Sequence, residues 1–265
     1  MRIIDLSVPI MNYSMDTHEQ SITYLDHQEV ARQRAKSYGV AADRFPLPGV
    51  HSASEVVTLS THAGTHMDAP WHYGPTSEGK PARTIDEIPL EWCYGPGVRL
   101  DFREKKADEA ISAAEIDAEL ARIGHRIRPL DIVLIWTGCD RFFDQPDWNT
   151  RHPGMSREAT LALIERGVRM MGTDAWGFDI PIPTMAERLR RGDPASFFPA
   201  HYAGREREYC HMEKMANFSA IPSATGFTVA CFPVKIHRAS GGWCRPVALV
   251  ADLPLPLRGR GDRGA

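Results

Sequence analysis

Three of the chain's eleven histidines and one aspartate fall within residues 62–72, His-Ala-Gly-Thr-His-Met-Asp-Ala-Pro-Trp-His. Imidazole nitrogen and carboxylate oxygen are donors that zinc and similar divalent ions accept, and a catalytic site needs three protein ligands plus an open position. His62, His66 and Asp68 supply such a set. His72 is a fourth convergent group, either a further ligand or a base free of the metal. A lone histidine is ordinarily a core or surface residue. Three with an aspartate, punctuated by Gly64 and Pro70, point instead to a metal. A structural zinc site would draw on cysteines and be closed, and this segment has none. Water held by such an ion reaches a pKa near ~7 and supplies hydroxide at neutral pH. Histidine titrates in the same range, so a histidine left free of such an ion can move protons beside it. Tyr24, Trp71 and Trp176 are candidate walls for a planar substrate, Trp71 having packing as its plainer alternative.

The surrounding elements must deliver these groups. Residues 55–61 alternate, with Val57, Leu59 and Thr61 on one face, and read as a strand leading to His62. Gly64 breaks it, and the Gly64-Thr65 bend can fold His62 back onto the face of His66 and Asp68. Those two are two apart and point the same way in extended backbone. Pro70 turns the chain before His72. Further on, His201 and Glu213 are candidate additional ligands, and His211 could share a strand face with Glu213. Taken singly, each has an ordinary reading beside it. Asp174 follows a buried run, a common place for sites in α/β proteins, or it caps a turn.

The remaining pattern is that of an α/β chain. Residues 2–10 read as a first strand, with Ile4, Leu6 and Val8 on one face, and residues 11–26 as irregular. Residues 27–38 suggest a charged helix closed by Gly39. Ser112 and Glu115 form a capping box opening a helix with Ile116, Leu120 and Ile123 inward, stopped by Gly124. Residues 131–136 are nearly continuously apolar, the mark of a strand covered on both faces. Ser156 can cap another helix, with Leu161 and Ile164 inward. Residues 168–171 form a further buried strand and residues 184–191 a short basic helix. Residues 227–236 and 243–252 read as two late strands separated by a hairpin-like loop over 238–242. Helices and strands alternate in the middle and the ends are strand-rich, which gives one mixed β-sheet with flanking helices.

Length and composition narrow the partners. A chain of 265 residues is one large domain or two small ones. The hydrophobic content of 43% and charged content of 25% are ordinary for a globular protein. A net charge of −3 makes no electrostatic case for nucleic acid or an anionic membrane. No apolar run approaches the ~20 residues of a membrane span. Asp5 stands where a signal peptide would be apolar, so the expected location is cytoplasmic. The five cysteines, Cys93, Cys139, Cys210, Cys231 and Cys244, are odd in number and form no C-x-x-C, which predicts reduced, buried thiols. One domain is expected over residues 1–256, followed by a disordered Gly/Arg-rich tail over 257–265.

The segment from His62 to His72 resembles the H-x-G-T-H-x-D-x-P-x-H signature of the cyclase-like metal-dependent hydrolases, which include bacterial kynurenine formamidases (arylformamidases) and isatin hydrolases. Ile4-Asp5-Leu6-Ser7-Val8-Pro9 looks like that family's opening strand. His201, followed by Glu213 and Ala216-Asn217-Phe218, looks like its late ligand region. The resemblance implies a swivelling β/β/α fold, a first metal on His62, His66 and Asp68, a second on Asp68, His201 and Glu213 where two are present, and His72 as acid/base. It also implies Zn2+ or Mn2+, a small-molecule substrate, and a homodimer or homotetramer. The long segment before Glu55 and the stretch from Ala203 to Tyr209 look more like the isatin-hydrolase branch, for which a single manganese is implied. The expected activity is cleavage of an amide, cyclic amide or lactone of a small aromatic compound. The alternatives are a metal-assisted cyclase or dehydratase, using His72 for proton abstraction, and a non-catalytic metal-binding protein.

Overall fold

A nine-stranded mixed sheet carries the molecule. The computed structural model describes residues 1–12 and 20–251. The tail expected over 257–265 lies outside these residues. Across the sheet the strands run Arg2–Asp5, Val247–Val250, Phe227–Ala230, Tyr94–Asp101, Ile132–Trp136, Met170–Thr173, Cys210–Glu213, His66–Asp68 and Gly241–Trp243. The four from Tyr94–Asp101 to Cys210–Glu213 are parallel, and the flanking pairs are antiparallel. This is an α/β domain with the mixed sheet and flanking helices that the sequence predicts.

The central strand shows why the sheet is buried on both sides. Every residue of Ile132–Trp136 is buried. Ile132, Leu134 and Trp136 enter one core with Met67, Met170, Met212 and Phe227. Val133 and Ile135 enter the other with Leu100, Ile116, Leu120, Leu163 and Ile164. Successive side chains point to opposite faces, so a continuous apolar run serves two cores at once. The helices on the second face start where their caps stand. The Ser112 side chain accepts from the Glu115 amide while Glu115 returns the bond, opening Ala113–Arg122. The Ser156 side chain accepts from Ala159 and opens Arg157–Glu165. In that helix Leu163 and Ile164 are buried, whereas Leu161 is only partly covered.

Three expectations are corrected. Residues 11–26 hold a strand, Ser21–Leu25, which pairs antiparallel with Ser54–Thr58. That pair stands outside the main sheet, and the whole of Ser54–Thr58 is exposed. The strand read over residues 55–61 therefore ends at Thr58 and is one side of a two-stranded arm, joined through helix His27–Tyr38. The third correction concerns residues 238–242. Phe227–Ala230 and Val247–Val250 do pair, but the chain between them crosses to the far edge of the sheet and adds Gly241–Trp243 beside His66–Asp68. Gly241 permits this approach: a Cβ there would lie 2.8 Å from the His62 ring and 2.9 Å from the Met67 carbonyl.

The five cysteines are free thiols, four buried and Cys244 partly so. Asp174 is a turn cap. Its carboxylate accepts from the Thr137 amide and hydroxyl and from the Gly138 amide, each at 2.7 Å, tying the ends of two parallel strands. Burial pushes its pKa up to about 7 against those donors.

Candidate metal centre

His66 and Asp68 lie on one strand, both about 1% exposed, with Met67 turned into the opposite core. The antiparallel register sets His211 opposite Asp68 and Glu213 opposite His66. Residues directly opposite in such a pair share a face, so two short strands present four donors to one point. Gly64 (φ +57) makes the bend before the strand. Its carbonyl accepts from His66 Nδ1 at 2.9 Å, which leaves Nε2 to face inward. His62 returns to the same face: its Nδ1 is 2.7 Å from Asp68 Oδ1, its Nε2 2.9 Å from Ser240 Oγ, and its carbonyl accepts from Lys214 Nζ at 2.9 Å. Ser240 is there because of the crossing strand. His72 sits in the one-turn helix Pro70–Tyr73, which Pro70 opens. Its Nε2 is 3.7 Å from Asp68 Oδ2, and its side chain is 35% exposed.

His201 arrives on helix Pro199–Glu206. Asp179 accepts from the Ala200 amide at 2.6 Å and the His201 amide at 3.3 Å, and it also accepts from His201 Nδ1. A carboxylate holding one ring nitrogen fixes the tautomer and aims the other, the usual outer-shell arrangement of metal-ligating histidine. His201 Nε2 accordingly points at Asp68 Oδ2, 3.5 Å away. His211 is held in the same manner by the Tyr73 and Tyr209 hydroxyls, at 3.0 and 3.1 Å from its Nδ1.

The electrostatics follow from this crowding. Burial opposes ionisation of Asp68, but His72, His62, His201 and His211 outweigh it and hold the carboxyl well below the usual range. Glu213 is lowered likewise: burial works against its charge, and His211 and His201 favour it more strongly. Burial works against a charge on His62 and His201 too, yet Asp68 raises His62 and Asp179 raises His201 well above the ordinary value. His72 goes the other way. Desolvation, reinforced by the neighbouring histidines, takes it down to about 4. It lies at the mouth, partly open to solvent, yet hemmed in by rings, with that of His62 at 4.1 Å.

Three buried atoms here, His66 Nε2, Asp68 Oδ2 and His211 Nε2, have no hydrogen-bond partner among the described residues. His211 Nε2 and Asp68 Oδ2 are 3.1 Å apart without hydrogen-bond alignment. Buried polar atoms are almost always paired, and leaving several unpaired at one point is costly. Lone pairs aimed at a common third point are what a cation requires. Asp68, His201, His211 and Glu213 can offer ligand atoms all within 4.8 Å of one another, and so can His62, Asp68 and His72. His66 lies between the groups, with Nε2 3.2 Å from Asp68 Oδ1 and 3.7 Å from Glu213 Oε2. The donor set fits a divalent metal, with Asp68 common to both groups.

Of the residues singled out in the sequence, the fold gathers His62, His66, Asp68, His72, His201 and Glu213 around one point. Trp176 lines the adjoining cavity of about 210 Å³, beneath Lys214, whose ammonium is 4.8 Å from its ring. Tyr24 and Trp71 do not line it. Tyr24 is 66% exposed on the arm and Trp71 is 44% exposed on the outer side of its turn. Sequence reasoning undervalued His211, although its two-residue spacing from Glu213 was the available signal. Asp179, Lys214 and His152, which also border the cavity, carried no local signal.

A mixed sheet whose adjacent strands converge His, Asp and Glu donors defines an α/β protein with a buried cluster suited to a divalent cation. The chain belongs to the family described as "Putative cyclase", whose profile matches residues 4–180. It is 27% identical over 198 residues to the kynurenine formamidase of Maricaulis maris, covering 75% of this chain and 80% of that one. It is 24% identical over 204 residues to the isatin hydrolase of Roseibium aggregatum, covering 73% of each. Its fold matches that of isatin hydrolase A from Ralstonia solanacearum with a TM-score of 0.74 at 22% identity, over 94% of this chain and 92% of that one. His201, His211 and Glu213 lie beyond the family match, so the structure is what joins them to the motif. Among the described residues, no helix is long and apolar enough to cross a membrane.

Proposed function

We propose that this protein is a metal-dependent hydrolase that cleaves the carbonyl C–N bond of a small aromatic amide or cyclic amide, or the C–O bond of a comparable lactone. The observation carrying this reading is the cluster of unpaired buried donor atoms facing a half-open histidine. The names of the related proteins, kynurenine formamidase and isatin hydrolase, supply the substrate class. Zn2+ or Mn2+ suits a site of nitrogen and oxygen donors without thiolate. His62, His66, Asp68, His201 and Glu213 would hold one or two ions, with His211 added to the set.

A bound divalent ion polarises a carbonyl and lowers the pKa of water. The protein's own groups do the rest. His72, whose pKa is depressed, is neutral near pH 7 and can take a proton from water. It then returns that proton to the leaving nitrogen or oxygen as the acyl bond breaks. Trp176, Phe178 and Phe198 wall the cavity beside it and shield a flat ring from solvent. The homo-oligomer implied by the sequence resemblance also belongs to this reading, with Tyr24, Val56 and Val57 exposed on the arm.

The test is a hydrolysis screen of isatin, N-formylkynurenine and simple lactones, with elemental analysis of the same preparation and a parallel arm in chelator. Turnover that follows metal content supports the proposal. A metal-replete protein inert on all of them would overturn it. The family description favours one second reading, a cyclase or dehydratase in which His72 abstracts a proton. Labelled water separates the two, because only hydrolysis places solvent oxygen in a new acid.

Metal binding should also depend on pH in a definite direction. Without metal, His62 and His201 have raised pKa values. Their protonated forms stabilise the fold fully below the unfolded value of about 6.5, and this contribution is lost as pH rises through the raised values. An ion must displace those protons. The gain in Tm on adding Zn2+ or Mn2+ should therefore grow from about pH 6 to about pH 8, as read by paired thermal melts. A gain that shrinks over that window would contradict the assignment of these residues as ligands.

A further inference from the structure

His62 meets the centre in the opposite sense to the other buried histidines. His66 commits its Nδ1 to the Gly64 carbonyl, His201 to Asp179 and His211 to the Tyr73 and Tyr209 hydroxyls, so each of these three directs Nε2 inward. In His62 it is Nδ1 that faces the centre, 2.7 Å from Asp68 Oδ1, while Nε2 turns to Ser240 Oγ at 2.9 Å. The edge strand Gly241–Trp243 brings Ser240 there. Gly241 stands opposite Asp68 and Trp243 opposite His66, and the Ala69 amide donates to the Ser240 carbonyl at 2.9 Å. Gly241 puts no side chain between this strand and the His62 ring. The Trp243 indole N–H donates to the Ser60 carbonyl at 2.8 Å, and Ser60 Oγ accepts from the His62 amide at 3.2 Å. The strand therefore holds the loop carrying His62 at two points, through Ser240 and through Trp243. Ser240 is not among the residues lining the cavity, so its hydroxyl acts on the ring and not on a substrate.

We propose that Ser240 is a positioning residue for the metal centre: by accepting from His62 Nε2–H it makes His62 an Nδ1 ligand, beside the Nε2 ligands His66, His201 and His211. Which imidazole nitrogen takes a metal is set by the hydrogen bond that the other one makes, and a hydroxyl oxygen can accept an imidazole N–H. With Nε2–H given to Ser240, the Nδ1 lone pair faces the carboxylate common to both donor groups. The proposal rests on the metal-dependent reading for the ion, whereas the orientation of His62 comes from the edge strand.

The test uses Zn2+ as the probe on the full chain. Calorimetry reads the Kd for Zn2+, nitrogen NMR of labelled histidine reads which His62 nitrogen carries the proton in the zinc-loaded protein, and turnover is measured separately. Wild type should show the proton on His62 Nε2 and zinc at Nδ1. Ser240→Ala should weaken Zn2+ binding by about 10–100-fold, the scale for losing an outer-shell partner, and His62 should then show protons on both nitrogens in a mixed population. Ser240→Thr keeps the hydroxyl and should restore both readings. If Ser240→Ala fails to fold, the wild-type spectrum decides by itself. A proton on His62 Nδ1 with zinc at Nε2 overturns the proposal and leaves the hydrolase reading standing. Unchanged Zn2+ affinity and an unchanged His62 signal in Ser240→Ala, with only a lower Tm, overturn it too, as does a wild type that binds no Zn2+. Zinc at Nδ1 in a protein that turns over no amide or lactone supports the proposal and counts against the hydrolase reading alone.

Discussion

Asp68→Ala is expected to leave the protein unable to retain a divalent metal and to reduce hydrolysis by at least about 10³-fold, beyond the ~10²–10³ scale of losing one oxyanion donor. Asp68 is the one residue common to both donor groups. Oδ1 faces His62 and His66, and Oδ2 faces His72, His201 and His211. Loss of an outer-shell partner alone costs metal affinity ~10–100-fold, so loss of the shared ligand should exceed ~100-fold. The effect reaches beyond the metal. Asp68 is the leading charge that raises His62, and removing one partner of a buried ionic set leaves the others uncompensated, at a cost of about 3–5 kcal/mol. Elemental analysis, calorimetric metal titration and urea melts check the three consequences. Asp68→Asn keeps the shape and removes the charge, and it should reproduce the metal loss. A variant that still binds metal at wild-type affinity would sink the assignment of Asp68 as the shared ligand.

His72→Ala is expected to keep the metal and lose at least about 10²-fold in rate, the scale of general acid–base catalysis. The contrast with Asp68 is structural. His72 occupies a short turn with its side chain 35% exposed, whereas Asp68 is 1% exposed at the centre. Truncating His72 removes little packing, so Tm should stay near wild type. Its depressed pKa of about 4 leaves it neutral through the working range, so the acid side of the rate profile should follow metal loss instead. Single-turnover kinetics with metal analysis of the same sample provides the check. Loss of metal in His72→Ala would make this residue a ligand, as its geometry with His62 and Asp68 permits. Full activity would remove it from the chemistry.

Much of the helical structure was legible because its signals are local. Ser112 and Glu115 answer each other across one turn. Gly39 takes the left-handed conformation that closes His27–Tyr38. The buried central strand was legible from composition, since nothing but two apolar surroundings accounts for Ile132 to Trp136. The arm was not. Val56 and Val57 on one strand and Tyr24 on its partner are the residues a strand favours, yet all three are exposed, because a strand pattern reports a pleat and not what covers it. The hairpin misreading at residues 238–242 has a similar source. Turn residues usually mark a change of direction, but Gly241 and Gly242 lie in a strand that joins the sheet at its far edge.

In the metal centre the division is sharper. Residues 62–72 by themselves determined the donor types and their local directions. Two residues along a strand share a face, a left-handed Gly64 folds His62 back, and Pro70 starts the turn that offers His72. These are properties of backbone within a few residues. Only the tertiary structure decided what completes the site. The register that sets His211 and Glu213 opposite Asp68 and His66, the hold of Asp179 on His201 and the arrival of Ser240 at His62 join segments far apart in the chain. Such contacts depend on which strand the packing of two cores places next to which, a choice that no local pattern encodes.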